Sequence, residues 1–175
     1  MRQQNDAMGS ADHRQRLGLL GFWAVMIGCV LLRGTPPWPV NHDCGWYLYV
    51  ADRLLEGDAL YVDIAEVNPP LIAYLSILPA ALSRLFSIGL VPAFDAFVLV
   101  LIGIAMVSLH RVVCVTASVS RDRWHLLAGI GVVLIVCPGD DFGQREHLMM
   151  ISFLPWLAIV IARMQDARIA QLGAL

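Results

Sequence analysis

The sequence contains no lysine, and all 12 of its basic residues are arginine. Charge of any kind is scarce, at 15% of 175 residues, against about a quarter in an ordinary soluble domain. The net charge of −2 gives no basic excess for a nucleic-acid partner. The four cysteines, Cys29, Cys44, Cys114 and Cys137, have the spacing of neither a zinc site nor a CxxC redox pair. Cys29, Cys114 and Cys137 lie in or beside apolar runs and read as small membrane-buried residues, and nothing supplies Cys44 with a disulfide partner. No small-x-small cleavage site follows the first apolar run, at 17–32, which is succeeded by Arg33-Gly34-Thr35-Pro36-Pro37-Trp38-Pro39. That run therefore reads as an uncleaved signal anchor, despite the basic stretch before it.

What remains is apolar: 58% of the chain is hydrophobic. Residues 1–16, with Arg2, Arg14 and Arg16, read as a disordered cytoplasmic tail. Residues 33–68 form the longest polar stretch and hold Asp43, Asp52, Glu56, Asp58, Asp63 and Glu66. Within it, 43–56 has helical spacing, with Tyr47, Val50, Ala51 and Leu54 on one face and Asp52, Arg53 and Glu56 on the other. Gly57 is its natural stop. Such a helix is expected in the membrane interface, with Trp46, Tyr47 and Tyr49 at headgroup level. Asn68-Pro69-Pro70 predicts a new helix, capped by Asn68 with Pro69 at its first position. The apolar run 71–82 that follows contains Pro79 and is too short to span, so an interfacial or re-entrant course is expected.

The remaining apolar runs are 88–109, 126–137 and 148–162. Asp95 near the start of the first places that end close to an interface, where its carboxylate can snorkel. Trp38, Trp46, Trp124 and Trp156 read as interfacial anchors. If the 71–82 run stays on the outer surface, Arg2, Arg14, Arg16, Arg111, Arg121, Arg123, Arg163 and Arg168 face the cytoplasm. Only Arg33, Arg53, Arg84 and Arg145 then lie outside. If that run spans, the outer side holds the majority, so the positive-inside rule selects four spans. The expected architecture is an all-α polytopic membrane protein with spans at about 17–33, 88–110, 124–138 and 148–163. Two juxtamembrane helices lie in an outer loop at 34–87, and a cytoplasmic end covers 166–175. This topology puts the two acidic stretches, 43–66 and 140–146, on one face.

Three elements then stand in order. His42-Asp43 opens the short amphipathic helix. Leu60-Tyr61-Val62-Asp63-Ile64-Ala65-Glu66-Val67-Asn68-Pro69-Pro70-Leu71 follows, and Asp141-Phe142-Gly143-Gln144-Arg145-Glu146-His147-Leu148 precedes the last span. Over residues 17–165 this resembles the N-terminal module of the GT-C glycosyltransferases, in particular the bacterial relatives of protein O-mannosyltransferases and of the lipid A aminoarabinose transferase. The resemblance implies a multi-spanning α-helical enzyme of the bacterial inner membrane. It implies a polyprenyl-phosphate-linked sugar as donor and a reaction on the outer face. It carries the catalytic aspartate onto Asp43, a second acid onto Glu66 and a third onto Glu146. Members run to several hundred residues, so this chain is expected to correspond to the N-terminal part of such an enzyme.

Glycosyl transfer needs a base for the acceptor hydroxyl, and Asp43 is the candidate. A helix cap is the ordinary structural reading of the same residue. The departing lipid phosphate needs its charge neutralised by an arginine fork or by a divalent cation, such as Mg, Mn or Zn. Arg145, Glu66, Glu146 and His147 are the candidate phosphate-binding residues, with Glu66 and Glu146 the candidate cation ligands. A solvated loop acid for Glu66 and a local Arg145–Glu146 ion pair are the plain alternatives. Two other functions stay open: an accessory subunit that binds lipid phosphate without turnover, and a small transporter subunit. The second calls for mid-span ionisable residues and an internal repeat, and neither is seen.

Overall fold

A computed structural model of the chain describes residues 2–34, 40–115 and 123–172, with side chains placed over 15–34, 40–114 and 123–164. Trp38 and Arg121 lie outside the described residues. The order is α1 (Arg2–Gly34), α2 (His42–Glu56), α3 (Leu71–Phe86), α4 (Leu90–Val115), α5 (Arg123–Ile135) and α6 (Arg145–Leu172), with a 3-10 turn at Gly139–Asp141. Among the described residues there is no strand, only an isolated bridge between Leu60 and Ile64.

Three described helices are long and apolar enough to cross a membrane: Gln15–Gly34 of α1, Leu90–Cys114 of α4 and Arg145–Met164 of α6. The run expected as a span at 124–138 forms only the 13-residue α5 before the chain turns. The ends of the long helices also correct the sequence reading. Residues 1–16, expected to be disordered, continue α1 from Arg2, and α6 runs on to Leu172. Extending an existing helix needs no new nucleus, and both segments are rich in Ala, Gln, Arg and Met, which are good helix formers.

The core is a stripe along α4. Phe94, Val98, Ile102, Ala105, Met106 and Leu109 recur at helical spacing and pack with Leu127, Leu134 and Ile135 of α5, and with Leu148 and Ile151 of α6. α1 and α5 run parallel, because the same residues meet in the same order along both. A Cβ on Gly18 would sit 2.7 Å from the Trp124 ring, one on Gly131 would run into Met26, and Arg33 reaches Gly139. Small residues at such a seam let two helices approach closely where lipid offers no hydrophobic drive to associate. The end of the bundle at which α1 stops is called the upper end below.

α3 both starts and finishes at the upper end. Asn68, just before it, contacts Arg145 at the start of α6, and Asp95, soon after it, contacts Arg33 at the end of α1. It does not traverse the bundle, as expected from its length of 16 residues. Its inner face, with Ile72, Ala73, Ser76 and Ala80, packs on α2 and α4. Its outer face, with Leu71, Tyr74, Leu75, Leu78, Leu85 and Phe86, is exposed and apolar. Arg84 ties its C-terminal turn to Asp52 at 2.7 Å and to Glu56 at 3.3 Å on α2. The expected cap of α3 is corrected. The helix begins after Pro70 without a side-chain cap, because Asn68 uses its amide elsewhere. α2 is corrected in a similar way. Its apolar face of Cys44, Tyr47, Leu48, Val50 and Ala51 is covered by protein, so Tyr47 is in the core and not at a headgroup.

Gly143, in the turn before α6, has φ +83°, and a Cβ there would run into the Phe94 ring. Gly143→Ala is expected to cost about 1–3 kcal/mol from overpacking and left-handed strain together. It should lower the melting temperature in detergent, whereas Gly28→Ala, which meets nothing within 4 Å, should not.

Candidate functional site

The upper end is assembled around Arg33. Its side chain is buried at the last turn of α1, where Nη1 donates to the Gly139 carbonyl at 2.8 Å. Nη2 pairs with Asp95 Oδ1 of α4 at 3.5 Å, and the guanidinium lies 4.1 Å from the Phe142 ring centroid. Asp95 therefore does not simply snorkel to water; it faces the cation that joins α1, α4 and the 138–144 turn.

The segment between α1 and α2 is tied to that turn through Asn41. Asn41 donates from its backbone to the Asp140 carbonyl at 3.2 Å and from Nδ2 to Asp141 Oδ1 at 2.7 Å. Its Oδ1 accepts the Asp43 N–H at 2.8 Å, so Asn41 caps α2 and Asp43 does not. Asp43 is thereby left in the first helical turn, beside the positive end of the helix, with its carboxylate half exposed. Its Oδ2 is 3.4 Å from the Gln144 amide, and its Oδ1 is 3.7 Å from His42 Nδ1. The neighbouring Cys44 turns inward, with Sγ 3.9 Å from the Phe142 carbonyl. Burial first, then the nearby Asp43, Asp141, Asp95 and Glu146, push this thiol up to about 12, so it stays protonated and unreactive.

A second polar chain runs beside the first. Trp46 Nε1 donates to Glu66 Oε2 at 2.6 Å. Glu66 Oε1 accepts from the Val67 and Asn68 backbone and from Asn68 Nδ2, each at 2.8 Å. Asn68 Oδ1 in turn accepts from Arg145 Nη1 at 3.1 Å, and Arg145 Nη2 stands 3.6 Å from Glu146. Partial burial pushes the Glu66 carboxyl up, but the bonds from Asn68, Trp46 and Val67 outweigh it and hold it below the usual carboxylate range. Beneath the chain lies Tyr47. Burial pushes its phenol up, Arg145 pulls it down, and Asp43, Glu66 and Glu146 push it up again, so the fields of both loops meet there.

Asp43, Glu66, Arg145 and Glu146 thus come to one end of the bundle, although Asp43 and Gln144 lie 101 residues apart. His147 does not join them. It is 3% exposed, takes the Gly143 N–H on Nδ1 at 2.9 Å and packs on Phe142, so it stiffens the turn from behind. Of the two acids expected to hold a cation, Glu66 accepts three donors on Oε1 and one on Oε2. Among the described residues no three His, Cys, Asp or Glu side chains converge as a metal cage needs. The sequence reading missed Asn41, quoted Gln144 without a role, and read Asn68 as a helix cap and Trp46 as an interfacial anchor; their amides and indole carry the geometry instead. Comparison with protein-family models, curated proteins and solved structures returns no match for the chain.

Because the folded Glu66 carboxyl titrates below its ordinary value of 4.5, the order it confers is complete above that pH and is lost as pH falls through the lower folded value. With 5-fluorotryptophan in the protein and the Trp46 signal assigned through Trp46→Phe, the ¹⁹F resonance should titrate with a midpoint below 4.5. In Glu66→Gln that transition should vanish.

Proposed function

We propose that this chain is the N-terminal site-bearing module of a GT-C-like glycosyltransferase, transferring a sugar from polyprenyl phosphate to a hydroxyl on the outer face of a bacterial inner membrane. The observation that carries the reading is the convergence of Asp43 with Arg145 and Glu146. It is held by the Asp43–Gln144 contact at 3.4 Å and the Asn68–Arg145 bond at 3.1 Å.

In this reading α5 is also a crossing, the third of four in chain order. It is short, yet with the turn after it it follows α1 from Gly18 up to Arg33, and α1 there is part of a span of full length. The upper end faces outward with the N-terminus in the cytoplasm. The arginine count supports this, since only Arg33, Arg53, Arg84 and Arg145 of the 12 arginines fall at that end in the four-crossing reading. Arg111, Arg123 and Arg163 mark the other end.

The chemistry follows from the roles. Asp43, left free by the Asn41 cap, takes the proton of the acceptor hydroxyl as its oxygen bonds to the anomeric carbon from the side opposite the phosphate. The bond from that carbon to the phosphate oxygen breaks, and polyprenyl phosphate leaves with the electron pair. Arg145, oriented by Asn68, meets the growing phosphate charge. Its contact with Glu146 at 3.6 Å is loose enough to be exchanged for a phosphate oxygen. Inversion at the anomeric carbon results.

With labelled polyprenyl-phosphate sugars and membranes containing the complete enzyme, Asp43→Asn should lower transfer by about 10²–10⁴-fold while leaving insertion and donor binding intact. Undiminished turnover removes Asp43 from the mechanism. Donor binding without product in the wild type points instead to an accessory lipid-phosphate module. Orientation is tested with the native thiols, since Cys114 and Cys137 are exposed at opposite ends while Cys29 and Cys44 are buried. An impermeant maleimide applied to spheroplasts should label Cys137 and spare Cys114; the reverse pattern overturns the topology.

A further inference from the structure

The face of α2 turned away from the core is unusual for a helix beside a membrane. It carries His42, Gly45, Trp46 and Tyr49 and then continues, on the same side, into Asp52, Arg53 and Glu56. Those charges are joined to one another and to Arg84 in an exposed ion-pair network, so this face looks into water. Lipid-facing apolar surface is on α3, where Leu71, Leu75, Leu78 and Phe86 are exposed. Two large aromatic rings are therefore held out in water a turn from Asp43. Trp46 and Tyr49 are 37% and 52% exposed, with ring centroids 5.5 Å apart and planes inclined by 34°.

The rings are also fixed. The Trp46 indole N–H is bonded to Glu66 Oε2 at 2.6 Å, which sets the plane of the ring. Between the rings and Val40 lies an open groove of about 430 Å³, rimmed by Asn41 and His42. Its wall is Gly45. A glycine inside a helix destabilises it relative to alanine, and it is usually explained by a left-handed φ or by close packing. Gly45 has neither, for its φ is outside the left-handed range and a Cβ there meets nothing within 4 Å. What the missing side chain leaves is the space of the groove.

We propose that this groove is the seat of a pyranose ring, with Trp46 and Tyr49 as its stacking platform. A pyranose offers an apolar C–H face to an aromatic ring and a rim of hydroxyls to polar groups; Asn41 and His42 border the groove on that side, and Asp43 Oδ1 stands 3.7 Å behind His42 Nδ1. Acyl chains would find charged neighbours at this place, and a peptide side chain would leave the hydroxyl-matching rim unused. The assignment deepens the transfer reading by giving the sugar a place beside the proposed base. The ring belongs to the lipid-linked donor or to a glycan acceptor.

The test reads binding and not turnover. The full chain, labelled with 5-fluorotryptophan in detergent micelles, is titrated with methyl pyranosides of mannose, glucose, galactose and arabinose, with mannitol as the acyclic control. At least one pyranoside should shift the Trp46 resonance saturably, and mannitol should not. Gly45→Leu should abolish the shift with an unchanged or raised melting temperature. Tyr49→Ala, at an exposed position, should weaken it at least several-fold. If a sugar 1-phosphate binds more tightly than its methyl glycoside and loses that gain in Arg145→Ala, the ring is the donor's; if the phosphate adds nothing, the ring is the acceptor's. No shift with any pyranoside, an equal shift with mannitol, or a shift that survives both variants overturns the platform. These outcomes are independent of the effect of Asp43→Asn on transfer, so the platform and the transferase reading can fail separately.

Discussion

A single buried guanidinium organises the upper end of this protein. Arg33 leaves the apolar stretch of α1 with its side chain buried, so its charge must be met by protein. The Gly139 carbonyl, the Asp95 carboxylate and the face of Phe142 meet it from three different segments. Those contacts fix where the turn between α5 and α6 sits, and that turn carries Asp141, Gln144 and Arg145. Removing one partner of such a pair strands a charge in an apolar setting, so the arrangement resists small displacements. The position of the proposed base then follows: Asn41 bonds Asp140 and Asp141, caps α2, and so delivers Asp43 to Gln144.

The two short helices, both expected at the membrane interface, differ in the surfaces they present. α2 lies over the core, with its outer face in water, while α3 presents an apolar flank of Leu and Phe. Their contact is lined by Val50, Ile64 and Ala73 and braced by Arg84. Both ends of α3 return to the same level, which is why the loop before it can bond to α6 through Asn68. The site is therefore built from segments far apart in sequence and held by amide side chains as much as by charges.

Much of this fold was legible from residue pattern. The apolar runs, the stop at Gly57 and the return of the 71–82 segment all follow from hydropathy, turn chemistry and arginine placement. The meeting of the two acidic stretches followed from topology alone, because opposite ends of a bundle cannot share a site. The amides were not legible. Asn68 before Pro69-Pro70 has the local signature of a helix cap, and only the arrival of Arg145 from the far side of the chain turns its side chain away. Asp43 had the same ambiguity, and Asn41, two residues earlier, resolved it by capping the helix first. His147, read beside Glu146, is turned about 100° round the helix from it and into the core. In each case the local pattern allowed more than one role and the folded surroundings made the choice.

The parallel seam between α1 and α5 has a consequence for biogenesis. α5 has only 13 helical residues and carries Gly129 and Gly131, so it partitions weakly from a translocon by itself. Its mate left the ribosome roughly a hundred residues earlier, and the two meet only after α4 has turned the chain around. The first helix must therefore wait in the bilayer with Gly18 and Met26 uncovered until the fifth arrives.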